Sequence, residues 1–87
     1  MKLKYEFETV ELDGEIMAVP VGDNATELHG LLRLNETAAD IIELLRNETD
    51  VEAVTDGLLQ KYEGEREAIA AYVRQFVAQL KDLGVVE

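Results

Sequence analysis

The stretch Leu28-His29-Gly30-Leu31-Leu32-Arg33-Leu34-Asn35-Glu36-Thr37-Ala38-Ala39-Asp40-Ile41-Ile42-Glu43-Leu44-Leu45 changes its apolar period from two to helical across a single asparagine. Leu28, Leu32 and Leu34 share one strand face with Gly30, whereas Ala38, Ile41, Ile42 and Leu45 fall at the spacing that lines one side of a helix. Asn35 is the natural N-cap: its side-chain oxygen can accept from the free amides of the first turn, and Glu36 puts negative charge where the helix dipole favours it. A strand therefore runs straight into a capped helix. Asn35 reads as structural, its cap holding the preceding strand in register with the last helix of the chain.

Upstream, Lys4-Tyr5-Glu6-Phe7-Glu8-Thr9-Val10-Glu11-Leu12 alternates as a half-exposed strand. Its apolar parity shifts between Phe7 and Val10, which predicts a bulge near Glu8 or Thr9. Asp13-Gly14 is a two-residue hairpin signal, and Glu15 to Val21 follows as a second strand ending near Pro20, whose missing amide suits a strand end. Gly22-Asp23-Asn24 makes the next turn and Glu27 to Leu34 the third strand, completing an antiparallel meander.

Downstream, Arg46 to Asp50 is a polar connector. Thr49 or Asp50 caps a second helix, with Thr49 and Glu52 spaced for a capping box. Val51, Val54, Leu58 and Tyr62 line that helix until Glu63-Gly64-Glu65 breaks it. A third helix runs from about Arg66 to Leu83, with Ile69, Val73, Phe76, Leu80 and Leu83 on its buried stripe and Gly84 as its C-terminal cap residue. The fold class is α+β, a three-stranded antiparallel sheet followed by three helices.

With 87 residues, 47% of them hydrophobic and 31% charged, the chain suits one small domain spanning residues 1–87 with one core. Stability on the order of 5 to 10 kcal/mol is expected for so small a unit. The absence of cysteine fits a reducing compartment, Met1 to Phe7 has no signal-peptide core, and no run nears the roughly 20 apolar residues of a membrane span. A soluble cytoplasmic protein with no membrane association is expected. The Asn-X-Thr triplets at Asn24, Asn35 and Asn47 serve turns and caps on this reading. A formal charge of −11 argues against nucleic acid as a partner, because that affinity is built from lysine and arginine neutralising phosphates. It leaves room for peptides and proteins.

Four markers appear in order, Leu34-Asn35-Glu36-Thr37-Ala38, Thr49-Asp50-Val51-Glu52-Ala53-Val54, Leu58-Leu59 with Tyr62, and Leu80-Lys81-Asp82-Leu83-Gly84-Val85-Val86, and with the order of strands and helices they extend the likeness over nearly the whole chain. Together they resemble the PqqD family. Ile41 and Ile42 stand where many members carry an aromatic, often tryptophan. The resemblance implies a winged-helix-like, non-catalytic peptide chaperone, a RiPP recognition element. Such a domain holds the leader of a ribosomally made precursor peptide and presents it to a modifying enzyme, often a radical S-adenosylmethionine enzyme. It further implies that the leader adds as a strand along the third strand, in a groove closed by the third helix. Pyrroloquinoline quinone biosynthesis is one such pathway.

The residues of the third strand suit that role. A sheet edge offers unpaired amides and carbonyls to an extended peptide. Gly30 admits another backbone closely, while His29, Leu31 and Arg33 alternate away from the face of Leu28 and Leu32. Gly30 as a packing glycine and Leu31 as a sheet residue is an equal reading of the strand alone. On the third helix Arg66, Ala70, Arg74, Val77 and Lys81 fall within an arc of about 80° beside the buried stripe. This flank carries three of the eight basic residues of an otherwise acidic chain. Arg74 and Lys81 would meet carboxylates of a leader over an apolar floor of Ala70, Val73 and Val77. Pairing with Glu67 or Asp82 as a solvated flank is the alternative for any single charge. The predicted peptide site is thus Leu28, His29, Gly30, Leu31, Leu32, Arg33, Ala70, Val73, Arg74, Val77 and Lys81.

Other functions find less support. With no serine, no cysteine and one histidine, the common nucleophile arrangements are absent, and His29 alone cannot build a zinc site. Glu6, Glu8, Glu11, Asp13 and Glu15 lie along a hairpin without the alternation of a calcium loop. No cofactor is implied. A DNA-binding winged helix would need a basic recognition helix, and the second helix offers only Lys61 beside Glu52, Asp56 and Glu63. A general interaction domain that merely shares the fold stays open. Edge strands also pair with one another, so the expected state is a monomer or weak dimer.

Overall fold

The computed structural model describes residues 1–21 and 32–86. In chain order the elements are β1 (Glu6–Leu12), β2 (Glu15–Val21), β3 (Leu32–Leu34), α1 (Glu36–Leu44), α2 (Val51–Leu59) and α3 (Arg66–Asp82). The fold is α+β, with an antiparallel sheet ordered β1-β2-β3 followed by three helices in a winged-helix-like arrangement. The predicted turn at Gly22-Asp23-Asn24 and the first part of the third strand, residues 27–31, lie outside the described residues.

The hairpin forms at Asp13-Gly14, whose φ angles of 52° and 81° are the two positive values a type I′ turn needs. From that turn the register runs without interruption, from Leu12 opposite Glu15 to Glu6 opposite Val21. The bulge predicted near Glu8 or Thr9 is therefore absent. The parity change has another cause: Phe7 faces the helices and is buried, whereas Val10 and Leu12 face the opposite side of the sheet. Both faces of the hairpin carry apolar residues.

The core lies between the inner sheet face and the helices. Phe7 and Ala18 from the sheet meet Ile41, Ile42 and Leu45 of the α1 segment, Val54 and Leu58 of α2, and Val73, Val77 and Leu80 of α3. Leu32 and Leu34 pack against this cluster from β3. Asn35 caps α1 as predicted, accepting from the Ala38 amide at 2.8 Å. For α2 the cap is Asp50, which accepts from the Ala53 amide at 2.7 Å, so the Thr49–Glu52 capping box is not the device used. Thr55, buried in α2, donates its hydroxyl to the Val51 carbonyl at 2.7 Å and needs no other partner.

The end of α3 is a Schellman motif: the Val85 amide donates to the Leu80 carbonyl and the Gly84 amide to that of Lys81, with Gly84 at φ 76°. That turn sends Val85 and Val86 into the core, where Val86 bridges to Leu3 and the Lys4 amide donates to the Val85 carbonyl at 2.9 Å. Leu83, placed on the buried stripe by its spacing, is instead 58% exposed. Val77, placed beside the stripe by its spacing, is buried together with Val73 and Leu80, so the buried face of α3 is rotated away from the Leu83 side and toward Val77.

Candidate functional site

Among the described residues β3 is one edge of the sheet, and its last residue passes directly into Asn35. Asn35 does two things at once. Its Oδ1 caps α1, and its amide lies 3.1 Å from the hydroxyl of Tyr72 on α3, which in turn sits 3.2 Å from Oδ1. One side chain thus ties the end of the edge strand to the middle of the third helix, which is the registering role its position in the sequence suggested.

Around this tie, α3 presents one continuous flank. At about 100° per residue Tyr72, Phe76, Gln79 and Leu83 fall within roughly 60° of one another, with Gln75 next to them. Tyr72, Gln75, Phe76 and Gln79 line an open pocket of about 230 Å³. Phe76 is half-buried and packs on the core, Tyr72 is 37% exposed, and the two glutamines bring amides that both donate and accept. An aromatic floor with polar, uncharged walls can hold an apolar side chain while bonding to the backbone beside it. None of these residues was placed in the peptide site from the sequence, where Phe76 reads only as part of the buried stripe. The available signal was Gln75 and Gln79, uncharged polar residues beside the apolar stripe of a chain rich in charge.

The predicted site residues divide. Leu28, His29, Gly30 and Leu31 lie outside the described residues. Leu32 faces the core, and Arg33 faces outward with its guanidinium 4.0 Å from Glu15 across the sheet. Val73 and Val77 are buried at 0% and 4% exposure, so they are core and not the floor of an open groove. Ala70 is half-buried, and Arg74 and Lys81 are exposed.

These two cations lie on the other side of the buried stripe. Arg74 follows Tyr72 by two residues, a rotation of about 200°. On that side Arg66 bonds Asp56 of α2 and approaches Glu52 at 4.0 Å, which holds the guanidinium above its ordinary pKa through the Asp56 hydrogen bond. Arg74 donates to Glu67 one helical stretch earlier, at 3.2 Å. Arg66 is thus engaged by α2 and Arg74 by its own helix, so both arginines have neighbours that compete with any ligand. The structure does not bring this basic flank to the β3 edge at Asn35.

At the other end of α2, Tyr62 donates to Asp40 of α1 at 2.5 Å, and Lys61 pairs with the same carboxylate at 3.1 Å. The hydrogen bond to Asp40 raises the pKa of both the Tyr62 hydroxyl and the Lys61 ammonium. This cluster joins α1 to α2 and lies on neither flank of α3. Among the described residues no three histidine, aspartate or glutamate side chains gather as metal ligands, and no helix is long and apolar enough to cross a membrane.

Comparison with known proteins agrees with this architecture. The chain matches a solved structure described as TbiB1 in complex with the TbiA(beta) leader peptide, at a TM-score of 0.75 and 18% identity, covering 100% of this chain and 95% of that one. No curated protein matches significantly. At such identity the likeness establishes the fold, and family membership rests on sequence: the model of Coenzyme PQQ synthesis protein D (PqqD) matches residues 22–86, which include β3, all three helices and the closing Gly84-Val85-Val86 turn. This chain belongs to the PqqD family.

Proposed function

We propose that the chain is a non-catalytic peptide chaperone that binds the leader of a ribosomally made precursor peptide as an added strand along β3. The observation that carries this reading is the edge strand tied by Asn35 to the Tyr72 face of α3, with the pocket of Tyr72, Gln75, Phe76 and Gln79 beside it. Backbone pairing along the edge supplies affinity without regard to sequence, and the pocket selects one apolar leader side chain. The fold shared with a protein solved on its leader peptide supports the same reading.

In this proposal the site comprises the third strand, Leu28 to Arg33, and the Tyr72 flank of α3. Leu32 and Val73 support it from the core, as does Val77, while Ala70, Arg74 and Lys81 act at a distance, through the field they add to an acidic chain. The recipient of the peptide is a modifying enzyme of the radical S-adenosylmethionine type, working in the cytoplasm. The product is pyrroloquinoline quinone or another peptide-derived compound.

A backbone NMR titration with the leader of a precursor encoded beside this chain tests the reading. Residues 32–35 and the Tyr72–Leu83 flank are expected to shift together. Shifts confined to α2, or none at leader concentrations of several hundred micromolar, would sink it. Random duplex DNA at physiological salt serves as the control for the winged-helix alternative, and no binding is expected.

A further inference from the structure

The outer face of the sheet is apolar and nothing among the described residues covers it. Cross-strand register places Val10, Leu12, Met17, Val19 and Val21 together on this side. None of the five belongs to the core or packs against it, and Leu12 is 56% exposed. Antiparallel sheets commonly turn one face to water, but that face is then polar. Here the centre is aliphatic, and the polar residues stand around it: Glu6 and Glu8 on β1, Glu15 at the hairpin end, and Arg33 on β3, which is itself engaged with Glu15. Glu11 and Asp13 add further negative charge at the same end of the hairpin.

An apolar centre within a carboxylate rim describes a protein interface and also its partner's charge. A second copy of this chain, docked face to face, would bring together two rims that each carry Glu6, Glu8 and Glu15, in a protein of net charge −11. An anionic lipid surface meets the same repulsion. A partner with an apolar centre ringed by lysine and arginine meets neither. The face is also compatible with an occupied β3 edge, since a strand added to the edge lies in the plane of the sheet whereas a partner on the face lies above it.

We infer that the outer face formed by Val10, Leu12, Met17, Val19 and Val21 is the docking surface for the modifying enzyme, through a basic-rimmed apolar patch on that enzyme. The inference rests on the chaperone reading given above, and adds which surface holds the recipient of the peptide. A protein docked there stands directly beside the β3 edge, so one chain can hold peptide and enzyme at once without either covering the other.

The test uses the full chain and the purified modifying enzyme encoded beside it, with binding measured by calorimetry. Two variants divide the surface: Leu12→Asp with Met17→Glu removes the apolar centre, and Glu6→Lys with Glu8→Lys reverses the rim at exposed positions that carry no packing. Each is expected to weaken enzyme binding at least tenfold, while leader affinity stays within twofold and the circular dichroism spectrum is unchanged. Added salt is expected to slow association of the native pair and to have little effect on the rim variant. Enzyme affinity unchanged in both variants overturns the proposal. So does a native chain that sediments as a dimer which the first variant splits, because the occupant is then a second copy. A native chain that binds enzyme but no leader removes the chaperone reading and leaves the docking surface standing, so the two failures are told apart.

Discussion

The two flanks of α3 have opposite character and opposite neighbours. One carries Arg66, Arg74 and Lys81, the most visible charges in an acidic chain; there Asp56 and Glu52 of α2 engage Arg66, and Glu67 of α3 itself engages Arg74. The other carries Tyr72, Phe76, Gln79 and Leu83, none of them charged, and it is the one tied to the end of β3 through Asn35. The difference teaches that a cluster of charge on a helix says where charge is, and that packing against a neighbour decides which side remains for a ligand. Exposed ion pairs are cheap to form and to lose. A half-buried aromatic beside an edge strand has no such substitute.

The largest effect expected is on the stripe that separates the flanks. Val73→Ala opens a cavity at a fully buried position and is expected to lower stability by about 2–3 kcal/mol, read by denaturant melts. Leader affinity of the folded protein should not change, and a tenfold loss at full folding would return Val73 to the groove floor. Next comes the uncharged flank. Tyr72→Ala is expected to weaken leader binding about tenfold, close to 1.4 kcal/mol. Tyr72→Phe, which removes only the hydroxyl shared with Asn35, should cost threefold or less; if the two variants weaken binding equally, the tie to β3 matters and the pocket does not. The basic flank follows: Arg74→Glu with Lys81→Glu is expected to weaken binding by less than threefold, with the loss erased by salt. A larger, salt-resistant loss measured by calorimetry would reverse the comparison.

The smallest effect lies away from both flanks. The Tyr62 hydroxyl titrates above the ordinary tyrosine value of 10.0 because it donates to Asp40, and Lys61 is raised from 10.5 by the same carboxylate. A pKa raised in the folded state gives a contribution present in full below the unfolded value and lost as pH rises through the folded one. Stability is therefore expected to fall above about pH 10. Tyr62→Phe should flatten part of that fall in a pH series of thermal melts, and an unchanged series would mean the bond adds nothing.

Much of the fold was legible because its signals are local. Asp13-Gly14, the Asn35 cap and the Gly84 turn are each set by the chemistry of one or two residues, and each forms where that chemistry places it. What was not legible depended on neighbours. Periodicity could not tell Leu83 from Val77, because they lie on opposite sides of the line through Val73 and Leu80 and only the packing of other elements decides which side is covered. Nor could alternation tell a bulged strand from a strand with two apolar faces, since both shift parity between Phe7 and Val10, and only the cross-strand register separates them. For the candidate site, the edge strand and its helix could be anticipated as elements. The side of α3 that meets the strand could not, because Asn35 and Tyr72 are far apart in the chain and their contact has no local signature.

The bridge between Leu3 and Val86 joins residues from the two ends of the described chain, and the Lys4 amide closes the same corner on Val85. The segment leading into β1 therefore completes its packing only with Val85 and Val86 in place. The hairpin and α1 can form earlier from short-range contacts, but burial of Leu3 comes only after Gly84 has reversed the chain and delivered Val85 and Val86. The Gly84 turn thus completes the cover over Leu3 as well as ending α3.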